Sequence, residues 1–130
     1  MKIVLDTDIY SYYAEGDAGT VDFLAMNAEE IFLPAVVIGE LFYGFSKGSR
    51  FSYNDRKLKE FIEKLDVQII PVDSDVARKY GLIYLYLQGK GTPIPINDVW
   101  IAASCMNMGG TLVTKDRHFE TVEQIEKIFI

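Results

Sequence analysis

Four acidic residues interrupt apolar stretches of this sequence, which suggests that they share a site. They are Asp6 at the end of KIVLD, Glu40 in PAVVIGELFYGF, Asp98 in PIPINDVWIAAS and Asp116 in TLVTKDRHF. An ionised carboxylate beside an apolar core is costly unless a partner compensates its charge. Neither Glu40 nor Asp98 has an obvious partner nearby in the sequence. We therefore expect the four acids to meet at one place in the fold.

A cluster of carboxylates indicates a cation. Carboxylates brought together repel one another and take up protons unless a cation keeps them ionised. Oxygen ligands without a Cys or His cluster select hard ions, which favours Mg²⁺ or Mn²⁺. The spacing excludes a helix-loop-helix calcium loop, because such a loop takes its ligands from about twelve consecutive residues. A site of this kind can generate hydroxide and neutralise phosphate charge, so it suits phosphodiester hydrolysis.

Strand and helix patterns alternate along the chain, without repeats or low-complexity segments. Short apolar, β-branched runs predict strands, and these are residues 2–6, 31–34, 67–72 and 111–114, with an edge strand at 127–130. Helical patterns predict helices near residues 8–16, 17–27, 35–47, 52–65, 74–88 and 97–108, with a short helix before the last strand. Strands separated by helices imply an α/β fold with a mostly parallel sheet and helices on both faces.

This fold class also predicts where the acids lie. Ligands of parallel sheets bind at the carboxyl ends of the strands, and Asp6 and Asp116 each come at the end of a predicted strand or just past it. Asp98 opens a helix after a loop that can lead to the same edge. Glu40 lies on a helix whose apolar neighbours leave little solvated face. We therefore expect all four carboxylates at one rim of the sheet.

Local structural roles offer alternatives for several polar residues. A carboxylate in the first turn of a helix often interacts with the helix dipole, which accounts for Asp98 taken alone. Asp8 opens a predicted helix, and we interpret it as an N-cap rather than a ligand. Ser52 and Asn54 are expected to cap the helix that ends near residue 65. We predict that His118 is an exposed loop residue rather than a general base, because a metal would already activate water.

The ordered set of motifs resembles a known family. LDTDIY, VVIGELFYG, INDVWIAA and VTKDRHF follow one another as in PIN-domain ribonucleases, most closely the VapC-type toxins of bacterial and archaeal toxin–antitoxin pairs. The resemblance covers nearly the whole chain and implies a three-layer α/β/α fold, with four to five mostly parallel strands, as a single domain over residues 1–130. It also implies cleavage of RNA that depends on one or two Mg²⁺ or Mn²⁺ ions.

Carried over position by position, the resemblance assigns roles to individual residues. Thr7 and Thr114 become hydroxyl contacts, with plain strand residues as the alternative, and Asn97 is expected to orient Asp98. Asp8 departs from the pattern because many relatives have Asn there, so its role as a ligand or a cap stays open. The acidic metal site implied by the resemblance consists of Asp6, Glu40, Asp98 and Asp116.

Charge limits how this chain can contact nucleic acid. The 130 residues suit one core, and the net charge of −6 argues against a general polyanion-binding surface. RNA contact then needs a local basic patch or bound cations. The densest basic stretch includes Phe51 and Tyr53, and cations beside aromatic rings suit single-stranded RNA, although a solvated face is the plainer reading. The predicted RNA-binding residues are Lys47, Arg50, Arg56 and Lys57.

Location and partners follow from the apolar segments. No run approaches the ~18 apolar residues of a membrane helix, the start at Lys2 is unlike a signal peptide, and Cys105 alone excludes an internal disulfide. We predict a soluble, cytoplasmic protein.

The helix near 35–46 and the segment GLIYLYLQG carry more apolar surface than one small core buries, which predicts a homodimer. The resemblance adds an antitoxin held between the helices near 35–65, with a basic side chain reaching the acids.

Two other function classes remain open at the level of sequence. A phosphatase of the haloacid-dehalogenase kind also begins with an apolar strand and D-x-D, and its first Asp is the nucleophile. This chain has Tyr10 where that motif usually places Thr, and it lacks room for a cap domain. The second alternative is a non-catalytic binding module whose acids hold a structural ion, which would bind metal but leave RNA intact.

Overall fold

The computed structural model describes all residues from Met1 to Ile130, and a single five-stranded sheet lies at its centre. The strands are Lys2–Leu5 (β1), Glu30–Pro34 (β2), Gln68–Ile70 (β3), Thr111–Thr114 (β4) and Glu126–Phe129 (β5). Their order is β3-β2-β1-β4-β5, and every neighbouring pair is parallel. The predicted α/β class, parallel sheet and C-terminal edge strand are confirmed.

Helices form the connections between the strands. The α-helices are Thr7–Ala14 (α1), Ala18–Asn27 (α2), Ala35–Lys47 (α3), Phe51–Lys64 (α4), Ser74–Lys90 (α5) and Ile96–Met108 (α6), and a 3₁₀ helix spans Arg117–Thr121. Crossovers between parallel strands are right-handed. Because the chain moves across the sheet in opposite directions before and after β3, α1 to α4 cover one face while α5 and α6 cover the other. None of these helices combines the length and apolar character that spanning a membrane requires.

The strand order reverses beside β1, which creates a crevice at one edge of the sheet. From β1 the chain continues to β2 and β3 on one side and then returns to β4 on the other side. In the paired strands Leu5 lies beside Val113. In open parallel sheets, the crevice outside the carboxyl ends at such a reversal is where ligands bind. Asp6 and Asp116 follow β1 and β4, so both begin at this crevice.

The core positions the segments that lead into the crevice. Ile3, Val4 and Leu5 are fully buried, as expected for a strand covered on both faces. Phe119 in the 3₁₀ helix is also fully buried and belongs to the same apolar cluster. Phe119 therefore anchors the chain directly after Asp116.

The prediction that Asp8 caps the first helix is wrong. The helix begins one residue earlier, at Thr7, and Asp6 is its N-cap, with φ −73° and ψ 161° and an oxygen 2.8 Å from the Thr7 nitrogen. Asp8 lies in the first turn and is exposed. The sequence offers both aspartates, and only the backbone conformation decides which of them precedes the helix.

The predicted caps of the fourth helix are also wrong. Ser52 and Asn54 lie inside α4, which begins at Phe51 after Arg50 and has no side-chain cap. The fifth helix, predicted near 74–88, continues past Gly89 and ends where Gly91 adopts a left-handed φ of 69°. Glycine ends a helix only where the backbone turns, and sequence alone does not locate that turn.

Candidate metal centre

Asp6 is a buried carboxylate whose hydrogen-bond partners are neutral. Its side chain is 5% exposed. One oxygen accepts from the backbone N–H of Thr7 at 2.8 Å, and the other accepts from the hydroxyl of Thr114 at 2.6 Å. Burial raises the pKa of Asp6, the two hydrogen bonds lower it in part, and the charges of Asp8 and Asp116 raise it further. No Lys or Arg forms a salt bridge with Asp6.

Thr114 joins the ends of the two central strands. It is the last residue of β4 and is fully buried. Its hydroxyl donates to Asp6 and accepts from the backbone N–H of Asp116 at 2.9 Å. A single hydroxyl therefore fixes the Asp6 carboxylate relative to the backbone that carries Asp116, and the pairing of β1 with β4 brings these groups into register.

Glu40 approaches the same edge from α3. The hydroxyl of Thr7 donates to one of its oxygens at 2.9 Å, which links the start of α1 to the middle of α3. Both threonines singled out in the sequence thus hydrogen-bond to one of the predicted acids. Thr7 is the first residue of a helix, not a strand residue.

His118 is exposed as predicted, but it lies in the 3₁₀ helix and contacts two of the acids. Its Nδ1 lies 3.1 Å from an oxygen of Asp116 and 3.4 Å from an oxygen of Asp98. The side chains are 55%, 32% and 13% exposed for His118, Asp116 and Asp98. One ligand atom from each of these residues lies within 4.8 Å of the others. The imidazole thus belongs to the centre although half of it faces solvent.

The sequence held a weak signal for this contact. The backbone N–H of His118 donates to the Asp116 carboxylate at 2.9 Å, so that Asp116 caps the 3₁₀ helix. An Asp that binds the backbone two residues later forms a local turn. The D-x-H spacing of DRH therefore places an imidazole beside the aspartate, and sequence reasoning missed it by treating the segment as an open loop.

Asp98 shares the edge of the sheet with the other three acids, whose charges act on it. Burial raises the pKa of Asp98 to about 6, and the negative charges of Asp6, Asp116 and Glu40 contribute to the rise. The contact with His118 lowers it in part. Asp6 and Glu40 lie outside the closely spaced group of Asp98, Asp116 and His118, yet they affect its charge. The structure therefore brings the predicted acids together.

An open hollow of about 470 Å³ leads to these side chains. Its lining is mostly polar and consists of Glu40, Pro95, Ile96, Asn97, Asp98, Asp116 and His118. Mn²⁺ readily binds a set of carboxylate oxygens with one imidazole nitrogen. The carboxylate oxygens of this set are also the ligands that Mg²⁺ prefers. The residues present therefore fit such an ion.

Two predicted supporting residues do not contact the acids. The Asn97 side chain is exposed and forms no hydrogen bond with Asp98, because consecutive helical residues do not face each other. The orienting role of Asn97 stays a prediction without a direct contact to support it. The Asp8 side chain is exposed and forms no hydrogen bond, although its charge acts on Asp6. The predicted RNA-binding residues lie outside the hollow, at the end of α3 and the start of α4, and are Lys47, Arg50, Arg56 and Lys57.

Comparison with known proteins places this geometry in a family. A family model described as PIN domain matches residues 3–125. Ribonuclease VapC2 from Rickettsia felis is 32% identical over 120 residues, which cover 89% of this chain and 87% of the relative. Ribonuclease VapC5 from Mycobacterium tuberculosis is 25% identical over 120 residues, which cover 92% and 87%.

Solved structures agree with the sequence comparison. VapBC2 from Rickettsia felis, bound to a promoter DNA fragment, matches with a TM-score of 0.85 and 28% identity over 99% of this chain and 98% of the other. DNA-bound VapBC from Salmonella typhimurium matches with a TM-score of 0.87 and 26% identity over the same shares. The chain therefore belongs to the PIN domain family.

Proposed function

We propose that this protein is a metal-dependent endoribonuclease and the toxin of a toxin–antitoxin pair. The observation that carries the proposal is the convergence of Asp6, Glu40, Asp98 and Asp116 at the crevice of a PIN domain. Curated relatives named as VapC ribonucleases support the activity, and solved VapBC complexes support the pairing with an antitoxin.

We assign the metal ligands to the acids and the neighbouring imidazole. Asp98, Asp116 and His118 would hold Mg²⁺ or Mn²⁺, and Asp6 and Glu40 would supply further negative charge or bind a second ion. An ion held by these residues would supply a water of lowered pKa and would neutralise charge on the scissile phosphate. A bound cation would also offset the mutual repulsion of the carboxylates, so that they would remain ionised.

The side chains around the acids hold them in place for hydrolysis. Thr114 and Thr7 fix the orientation of Asp6 and Glu40 through their hydroxyls. Asp98, Asp116 and His118 line the open hollow, which is wide enough for a phosphodiester. In the reaction the oxygen of water bonds to phosphorus, one P–O ester bond breaks, and the departing oxygen gains a proton.

The phosphatase alternative receives little support from the position of Asp6. A nucleophilic carboxylate needs a free oxygen that the substrate can reach. Both oxygens of Asp6 accept short hydrogen bonds, the side chain is 5% exposed, and Asp6 does not line the open hollow. The carboxylates that do line it are Glu40, Asp98 and Asp116. Hydrolysis by water at these acids therefore fits better than a covalent intermediate on Asp6.

We also propose that an antitoxin and a second copy of this chain are the protein partners. The accessible carboxylates of the hollow would attract a basic antitoxin side chain, and the surface between α3 and α4 is where we expect its backbone to lie. A short adjoining reading frame for a DNA-binding protein would support the pairing. A protein expressed from that frame that fails to bind this chain would count against it.

Asp98→Asn tests the enzymatic proposal. We expect Mn²⁺-dependent cleavage of single-stranded RNA to fall by at least ~100-fold, because the variant loses a charged ligand while keeping the shape of the side chain. Asp75→Asn is the matched control, since Asp75 also occupies the first turn of a helix but pairs with Arg78 on α5. Cleavage at the wild-type rate by folded Asp98→Asn protein would refute the assignment. Metal binding without any RNA cleavage by wild type would favour the non-catalytic module.

A further inference from the structure

The surface around Tyr53 carries the only arginines of this chain that lack a carboxylate partner. The sequence contains four arginines. Arg78 and Arg117 form salt bridges of 3.3 and 2.8 Å with acids three residues away. Arg50 and Arg56 form none, and both lie at the start of α4. Their charges therefore remain available to an external anion.

Three cations surround the exposed ring of Tyr53. The guanidinium carbon of Arg50 lies 4.0 Å from the ring centroid, that of Arg56 lies 5.6 Å away, and the Lys57 nitrogen lies 5.7 Å away. The ring quadrupole attracts such charges, but the charges repel one another. Because the whole chain carries −6, general basic composition does not explain this concentration. Lys47 lies over Tyr43 instead, at 4.6 Å, and is not part of the group.

A hollow of about 320 Å³ connects this group with α1. Tyr10 and Ser11 form one side, and Arg50, Tyr53 and Lys57 form part of the other, with Glu15 as the one acid in its lining. Glu15 is outnumbered by the cations, so the hollow is positive on balance. It is large enough to accept part of a nucleotide.

The hollow lies close to the acidic centre. The Ser11 hydroxyl donates to the Thr7 carbonyl at 3.4 Å, and the Thr7 hydroxyl donates to Glu40. Ser11 is therefore one helical turn, a rise of about 5.4 Å, from a residue that contacts the metal site. The hollow and the acidic centre are therefore neighbours on the two ends of α1.

We propose that Arg50, Tyr53, Arg56 and Lys57 form a binding surface for single-stranded RNA beside the scissile bond, an inference that rests on the proposed endoribonuclease function. A base stacks on the Tyr53 and Arg50 pair, and phosphates bind Arg56 and Lys57. An exposed ring with unpaired cations favours nucleic acid over an acidic peptide, because a base stacks on both the ring and the guanidinium plane while its phosphate binds the cations.

Binding in a background that cannot cleave RNA isolates this surface. In Asp98→Asn protein, a fluorescein-labelled oligouridylate of about 12 nucleotides reports affinity by anisotropy. We expect Tyr53→Ala to weaken binding by roughly 10-fold, and Tyr53→Phe, which keeps the stacking ring, to restore it. We expect Arg56→Ala to lower the slope of log affinity against log salt by about 0.7 for each lost phosphate contact. Arg78→Ala, which removes the same charge from α5, should leave both quantities unchanged.

The outcomes separate this surface from the catalytic proposal. Equal RNA affinity and equal cleavage by wild type, Tyr53→Ala and the double variant Arg56→Ala/Lys57→Ala would overturn the surface and leave the ribonuclease proposal standing. Weaker RNA binding by these variants, with no cleavage even by wild type, would support the surface and refute the ribonuclease proposal. If Tyr53→Ala does not fold, RNA binding by Arg56→Ala/Lys57→Ala tests the surface alone, since these two side chains are exposed or half-exposed. If Arg78→Ala weakens RNA binding as much as these variants do, the proposed surface would also be overturned. Such a result would indicate that RNA responds to the net charge of the protein.

Discussion

At the scale of single residues, the centre holds more negative charge than the protein itself compensates. Asp6 receives hydrogen bonds from a hydroxyl and a backbone N–H, and Glu40 receives one from a hydroxyl. Of all the basic side chains, only His118 contacts the acids. Hydroxyls fix the direction of a carboxylate without removing its charge. In the absence of a cation, the centre is therefore a local source of instability.

Asp98 allows this instability to be measured. Its pKa of about 6 in the folded protein lies above the usual value of 3.8, so the folded state binds the proton more tightly than the unfolded state. The resulting loss of folding stability is absent below about pH 4 and complete above about pH 6, where it amounts to about 3 kcal/mol. We expect metal-free Asp98→Asn protein to be more stable than wild type at about pH 7 and similar to it at about pH 4.

Denaturant unfolding at both pH values, in the presence of chelator, checks this expectation. Asp75→Asn serves again as the control. Its free energy of unfolding, relative to that of wild type, should not rise comparably between about pH 4 and about pH 7. Adding Mn²⁺ should stabilise wild type more than Asp98→Asn, because binding to the folded state stabilises it by mass action. A variant that is less stable than wild type at neutral pH would contradict the electrostatic account.

Sequence reasoning predicted the acids better than it predicted their neighbours. Asp6 and Asp116 could be placed together because parallel strands end at one edge, and this rule needs only the order of strands and helices. His118 was missed because its direction depends on a 3₁₀ turn that Asp116 caps. Asn97 forms no hydrogen bond with Asp98, because adjacency in sequence does not bring helical side chains together. Side-chain direction is the quantity that the sequence pattern did not supply.

At the scale of elements, the approach of β4 to β1 determines the geometry of the centre. Gly109 ends α6 with a left-handed φ of 64°, and Gly110 then passes close to β1. A Cβ atom at Gly110 would lie 3.0 Å from a methyl group of Val4 and 3.2 Å from the carbonyl oxygen of Lys2. The absence of a side chain at Gly110 therefore lets β4 take the register that brings Thr114 to Asp6.

Gly110→Ala should consequently destabilise the fold. We expect a loss of about 1 to 3 kcal/mol, since the added methyl group forces β1 and β4 apart. Gly81→Ala is the matched control in the interior of α5, where no atom lies within 4 Å of an added Cβ, and it should stabilise the protein by roughly 0.5 to 1 kcal/mol. Thermal unfolding of both variants tests the pair. Equal stability of Gly110→Ala and wild type would mean that the strands tolerate the closer contact.

Element types were predictable here, whereas several ends were not. The third helix was predicted at 35–47 and is observed there, because an apolar pattern and Gly48 bound it. The third strand was predicted over 67–72, but only Gln68–Ile70 pairs with β2. Apolar composition predicts a strand, while its length depends on which backbone groups find a partner at the edge of the sheet.

At the scale of the whole molecule, opposite charges and exposed apolar groups occupy separate surfaces. Acids face the hollow of the metal centre, cations surround Tyr53, and α5 exposes Leu82 and Leu85 at 60% and 70%. The separation would let an acidic chain contact RNA at the proposed surface while its carboxylates attract a cation at another. The apolar residues of α5 take part in neither function, which leaves them available for contact with another protein.

The proposed homodimer is tested most directly on α5. Leu82 and Leu85 are three residues apart and lie on one helical face, and burying them against a second copy would remove exposed apolar surface from water. We expect light scattering at micromolar concentration to give twice the chain mass of 14.7 kDa for wild type. Leu85→Glu should shift the protein toward monomer, because an unpaired charge is unfavourable at an interface core. Met26→Glu, which changes an 83% exposed residue on α2, should leave the dimer intact. A monomeric wild type would refute the dimer, and a dimer that persists in Leu85→Glu would exclude this face as its interface.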